Sequence, residues 1–187
     1  AIVGNTIRLD INSRRDEVIA RIAGLCRQGH QVYWVCTLID ESEEIQAQSA
    51  QAAFELISQS LPDCAVALLH GKVPPAEKSR IMQAFKANRV HVLVATTVIE
   101  VGVDVPNASV MVIENAERLG LAQLHQLRGR VGRGSVASHC LLLYRTPLSA
   151  LAKERIEVMR QTDDGFIIAE KDLELRGPGE LLGTKQT

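Results

Sequence analysis

Three arginines stand close together among glycines in the segment Gln126-Leu127-Arg128-Gly129-Arg130-Val131-Gly132-Arg133-Gly134. A guanidinium group is always charged and offers a planar fork of donors that matches phosphate oxygens two at a time. Glycines beside it let the backbone approach a polyphosphate that a Cβ would hold off. Taken alone, the segment also describes a basic surface loop. A second segment upstream, Val94-Ala95-Thr96-Thr97-Val98-Ile99-Glu100-Val101-Gly102-Val103-Asp104-Val105-Pro106, favours chemistry, because it sets hydroxyls, a glycine and a carboxyl group at the end of an apolar run. Thr96 and Thr97 suit hydrogen bonds to a phosphodiester, and equally suit the cap of a following helix. Asp104 stands in an otherwise apolar stretch, where an unpartnered carboxyl group is costly; a ribose diol would give it donors.

The elements that must position these groups are visible as apolar runs. Val32–Cys36, Ala65–Leu69, His91–Ala95, Val110–Ile113 and Cys140–Tyr144 are continuous and not alternating, as in strands covered on both faces of a parallel sheet. Helical patterns separate them. Ser13 with Asp16 predicts a capping box, Val18, Ile19, Ile22, Leu25 and Cys26 share one helical face, and Gly29 supplies the stop. A second helix is predicted over Glu43 to Gln59, and a third from Pro74-Pro75, where proline fits the first turn. This alternation predicts an α/β fold with a doubly wound, mostly parallel sheet. Such sheets bind ligands beyond the carboxyl ends of their strands. Thr37, His70-Gly71 and Thr96-Thr97 all fall there. His70 offers a polar ring and Gly71 a backbone N–H, although Gly71 equally serves to permit the turn.

After Tyr144 the rhythm changes. A helix is predicted from Pro147 to about Gln161, a break at Asp163-Asp164-Gly165, a second helix from Phe166 to about Leu175, and a loop from Arg176 to Gln186. A boundary near Thr146 therefore separates a sheet domain, residues 1–146, from a helical hairpin and loop, residues 147–187.

Composition limits the function classes. The 187 residues are 46% hydrophobic, enough for a real core, yet no apolar run nears the roughly 20 residues of a membrane span. The net charge of −1 excludes a uniformly basic nucleic-acid binder. Its distribution is uneven: Arg118 to Lys153 contains no acidic residue, and Gln28 to Gly71 contains no lysine or arginine. One positive and one negative surface are expected, which suits a protein that holds phosphate on one side only. Cys26, Cys36, Cys64 and Cys140 show no metal-ligand spacing, so no metal site is expected on this chain and a reduced, cytoplasmic setting is. No phosphate-binding G-x-x-x-x-G-K-[ST] loop occurs, nor an Asp-Glu pair ending a strand to hold magnesium. Groups that would stabilise a phosphoryl transition state are present without those that grip the nucleotide. Half of an active site is expected, on a piece of a longer protein.

The segment Gln126–Arg133 resembles motif VI of superfamily 2 helicases, and Ala95-Thr96-Thr97 through Gly102-Val103-Asp104-Val105-Pro106 resembles their motif V. Leu69-His70-Gly71 with Ala76-Glu77-Lys78 resembles the stretch between motifs IV and V. The tail Asp172–Gln186 is similar to the TRG translocation motif, shared by the RecG family of branch-migrating DNA helicases and the transcription-repair coupling translocases. Gly177-Pro178-Gly179 and Thr184-Lys185-Gln186 fit the RecG family better.

The resemblance implies the second RecA-like lobe of an ATP-dependent, double-stranded DNA translocase acting on branched or duplex DNA in recombination and repair, in a bacterial, nucleoid-associated setting. ATP with Mg2+ would be held mostly by a first RecA-like lobe, which the parent chain would carry along with a wedge domain, so this fragment alone would be inactive. The resemblance further implies that Arg133 is an arginine finger, Arg130 its companion, and Gln126 an orderer of the cleft. Gly102 and Asp104 would meet the nucleotide, and Thr37, His70, Gly71, Thr96 and Thr97 the DNA backbone. Arg155, Arg176 and Gln186 would couple lobe closure to movement. A coupling translocase lobe and a stand-alone nucleic-acid-binding module are the rivals.

Overall fold

A computed structural model of the chain describes residues 5–36, 42–96, 108–128, 139–144, 148–161 and 165–181. Six strands form one sheet: β1 (Asn5–Asp10), β2 (Gln31–Cys36), β3 (Val66–Leu69), β4 (Val92–Thr96), β5 (Ala108–Glu114) and β6 (His139–Tyr144), in the order β1-β6-β5-β2-β4-β3. Every neighbouring pair is parallel. The interleaved helices are α1 (Ile11–Arg27), α2 (Glu43–Ser60), α3 (Pro75–Lys86), α4 (Leu121–Arg128), α5 (Ala150–Gln161) and α6 (Gly165–Leu181), with a 3-10 turn at Ala116–Arg118. The expected doubly wound α/β architecture is present.

Because strand side chains alternate between faces, β2 sends Val32, Trp34 and Cys36 to one side and Tyr33 and Val35 to the other. The first set packs with Val92, Val94, Val110 and Val112 beneath Val18, Ile19 and Ile22 of α1 and Ile57 of α2. The second packs with Leu93, Met111 and Leu142 beneath Phe85 of α3 and Leu121, Leu124 and Leu127 of α4. Tyr33 and Phe85 meet edge to face, centroids 5.0 Å apart and planes at 76°, a geometry worth about 0.5–1.5 kcal/mol beyond the area buried. The acid-rich α2 and the basic α4 thus lie on opposite faces of the sheet, as the charge distribution requires.

Local chemistry explains the ends of the elements. Ser42 caps α2, its hydroxyl accepting from Ile45 N at 3.1 Å, and Pro75 opens α3. Gly29 takes φ +91 after α1, a left-handed turn natural only to glycine. Two expectations need correction. Ser13 does not cap α1, which already begins at Ile11, so that Ser13 sits inside the first turn. The loop expected from Arg176 does not start there either. Helical backbone continues through Gly177-Pro178-Gly179 to Leu181, although an interior proline forfeits one hydrogen bond and glycine is a poor helix former.

The hairpin α5–α6 packs into the same core as the sheet. Ile156, Val158 and Met159 of α5 and Ile168 of α6 are buried in the cluster that holds Leu93, Met111 and Leu124, and Leu175 packs against it half-buried.

Candidate DNA-backbone and nucleotide site

The register brings the strand ends into line. Cys36 is level with Thr96 on one side and Glu114 on the other, and Leu69 is level with Ala95. His70 and Thr96 therefore share the carboxyl edge of the sheet, where the sequence placed them. Thr37 and Thr97 follow β2 and β4 directly but lie outside the described residues, as do Gly102, Asp104, Arg130, Arg133 and Gln186.

Thr96 is only 4% exposed, and its Oγ1 finds no hydrogen-bond partner among the described residues. A buried hydroxyl left in that state costs about 1–3 kcal/mol, which makes Thr96 a candidate contact at this edge. His70, half-buried, accepts from Lys72 N through Nδ1 at 3.1 Å. That bond puts the neutral ring's proton on Nε2 and makes the imidazole a donor there. Its carbonyl takes Val73 N at 3.1 Å, closing a tight turn through Gly71. An open cleft beside it is lined by Glu44, Gln48, Gln51, Glu55, His70 and Lys72. The two glutamates repel phosphate, so an anionic ligand here would keep to the His70–Lys72 side.

Helix α4 leads toward the arginine-glycine segment. Leu121, Leu124 and Leu127 bury one stripe, which leaves Gln126 exposed in the last turn. Arg128 turns inward, its Nη1 donating to Met159 O on α5 at 2.6 Å. It lies near Cys140, whose thiol burial pushes up to about 12 against the lowering pull of that guanidinium. Arg155 of α5 donates from Nη2 to Glu117 O in the 3-10 turn at 3.2 Å. Arg176 lies on α6.

The helicase conserved C-terminal domain family matches residues 14–135. The chain belongs to this family. As a helicase C-terminal domain it is 63% identical over 94% of its length to the ATP-dependent DNA helicase RecG of Escherichia coli strain K12, and 48% identical over 92% to that of Bacillus subtilis strain 168. It spans 26% and 25% of those proteins. Among solved structures it is similar to RecG bound to a three-way DNA junction, with a TM-score of 0.79 and 43% identity over 95% of this chain and 23% of that one. The Saccharomyces cerevisiae protein Dbp5 bound to RNA and ADP BeF3 shares the fold alone, with a TM-score of 0.65 and 17% identity over 94% of this chain and 46% of that one.

Two features of this helicase domain escaped the sequence. One is the inward turn of Arg128, indistinguishable by type from Arg130 and Arg133. The other is Glu114, 6% exposed at the end of β5, whose Oε2 accepts from Trp34 Nε1 at 2.8 Å and from Cys36 Sγ at 3.5 Å. The available signal was a carboxyl group ending an apolar run, the same signal that singled out Asp104.

Proposed function

We propose that the chain is the second motor lobe of an ATP-dependent double-stranded DNA translocase of the RecG type, which remodels branched DNA. The observation that carries this is the alignment of the strand ends: one edge of the sheet gathers His70 and Thr96 and leads into Thr37 and Thr97. Neighbouring β5 runs through the 3-10 turn and α4 toward Arg130 and Arg133. The similarity to RecG on a DNA junction supports the same view.

In this role His70 Nε2, Gly71 and the threonines hold successive phosphates of one strand by donating hydrogen bonds, contacts that set position and not sequence. Arg133 would serve the γ-phosphate of ATP held by the first lobe, with Arg130 as its companion, while Gln126 on the exposed face of α4 would order the cleft and Asp104 would accept from the ribose. ATP supplies the phosphoryl group, and Mg2+ would be held mostly by residues of the first lobe. The absence of acidic residues from Arg118 to Lys153 fits a cleft that must accept a triphosphate. A finger of this kind is worth about 10³–10⁵ in rate, enough to make hydrolysis depend on lobe closure. Arg155 and Arg128 tie the helix that leads to the finger to the hairpin, so closure and movement along DNA are mechanically joined, with Arg176 on α6 and Gln186 beyond it in sequence as further coupling residues.

Arg133→Ala in the full parent protein tests the proposal. ATP turnover is expected to fall by about 10³-fold or more, with branched-DNA binding nearly intact. Turnover within about tenfold of the parent rules out the finger. Measurable ATPase activity in the isolated chain would overturn the half-site itself.

A further inference from the structure

We infer that Glu114 is a positioning residue that ties the DNA-contacting end of β2 to the strand leading to the arginines; its role rests on the chain being a motor lobe. Trp34 and Cys36 lie two residues apart on one face of β2, and Glu114 stands opposite Cys36 in register on β5. One carboxyl oxygen accepts from both, the indole N–H at 2.8 Å and the thiol at 3.5 Å. All three residues are buried, Trp34 at 1%, Cys36 and Glu114 at 6%. A buried carboxyl group is costly unless it accepts hydrogen bonds, so its presence here answers a need other than packing.

Its place in the chain indicates that need. Cys36 immediately precedes Thr37, one of the expected phosphate contacts. Glu114 immediately precedes Asn115, which takes the left-handed φ of 54. There the chain leaves the sheet, having set Glu114 on the α1–α2 face with Trp34 and Cys36, for the opposite side, where Ala116, Leu119 and α4 pack. Two donors from β2 thus fix the point from which the arginine-bearing segment departs. A shift of the β2 end under a DNA phosphate reaches the start of the 3-10 turn through rigid, buried hydrogen bonds and not through a loop.

Glu114→Ala and Glu114→Gln in the full parent protein decide the matter, with ATPase measured without DNA and across a DNA titration. Glu114→Ala is expected to lower the DNA-stimulated rate, or raise the DNA concentration for half-stimulation, by about tenfold, with the DNA-independent rate and the KM for ATP within about twofold. Glu114→Gln keeps an oxygen acceptor and should restore most of the stimulation. Trp34→Phe removes one donor and should reproduce part of the defect; it also carries the test if Glu114→Ala fails to fold. Equal loss of basal and stimulated rates in Glu114→Ala, no rescue by Glu114→Gln, or normal stimulation in Trp34→Phe overturns the assignment. A parent protein whose ATPase ignores DNA would instead defeat the motor-lobe reading, whatever the variants do.

Discussion

Arg128 and Arg155 clasp each other's segments: Arg128, ending α4, donates to Met159 O of α5, and Arg155 of α5 donates to Glu117 O in the turn that enters α4. Each bond joins a charged donor to a backbone carbonyl in a half-buried place, a type worth about 1.5–3 kcal/mol. Arg128→Ala or Arg155→Ala is expected to lower the unfolding midpoint of the chain by roughly 5 °C. Because both bonds serve one α4–α5 interface, the double variant should lose less than the sum of the two. Thermal melts of the four proteins in the cycle check this; strict additivity would mean the two contacts act separately.

Gln126 and Leu127 are neighbours on α4 with opposite fates. Leu127 is buried and Gln126 exposed. Leu127→Ala is expected to cost about 2–4 kcal/mol, Gln126→Ala under about 0.5 kcal/mol. Urea titrations measure both. In the parent protein the order should invert for catalysis per folded molecule, with Gln126→Ala showing the larger loss of turnover.

His70 and Lys72 should affect DNA affinity differently. In the proposed role His70 would contribute a hydrogen bond without requiring a charge, so His70→Ala should weaken binding about fivefold at every salt concentration. Exposed Lys72 would contribute a charge in that role, and Lys72→Ala should reduce the slope of log K against log salt by roughly one. Binding isotherms at several salt concentrations distinguish the two effects.

Burial raises the thiols of Cys140 and Cys26 to about 12, and for Cys26 the neighbouring Cys64 adds to it. The folded state then holds thiol protons that the unfolded chain loses from about 9 upward. Their contribution is complete below pH 9 and is lost as pH rises toward 12, with a slope of up to about 1.4 kcal/mol per pH unit for fully buried Cys140 and less for half-exposed Cys26. Cys140→Ala should flatten the alkaline fall in stability measured between those limits. An unchanged curve would show that the thiol of Cys140 is not protected.

Much of the fold could be read from runs of apolar residues, because strands buried on both faces carry no polar punctuation. β1 could not: Asn5-Thr6-Ile7-Arg8-Leu9-Asp10 is an edge strand with one neighbour, and its sequence lacks such a run. The start of α1 and the extension of α6 were missed for a different reason, since Ser13 is a strong local start signal and the Gly-Pro-Gly segment a strong stop signal, and continuing backbone hydrogen bonds can override both. At the site, Thr96, His70 and Gln126 were accessible by residue type and position at element ends. The contact between Trp34 and Glu114 was not, because their positions are 80 residues apart and only the permuted strand order makes β2 and β5 neighbours. Nor could residue type separate Arg128 from the arginines that follow; the end of α4 does so.

The pairing of β1 with β6, Thr6 opposite Cys140 and Leu9 opposite Leu143, has a consequence for biosynthesis. The strand that leaves the ribosome first in this domain waits for the strand made last before it gains any partner in the sheet. Contacts so distant along the polypeptide slow folding and leave an unsatisfied edge open to strangers in the meantime. Translation must pass Tyr144 before the nascent domain can close, and a pause short of that point leaves β1 without its partner in the sheet.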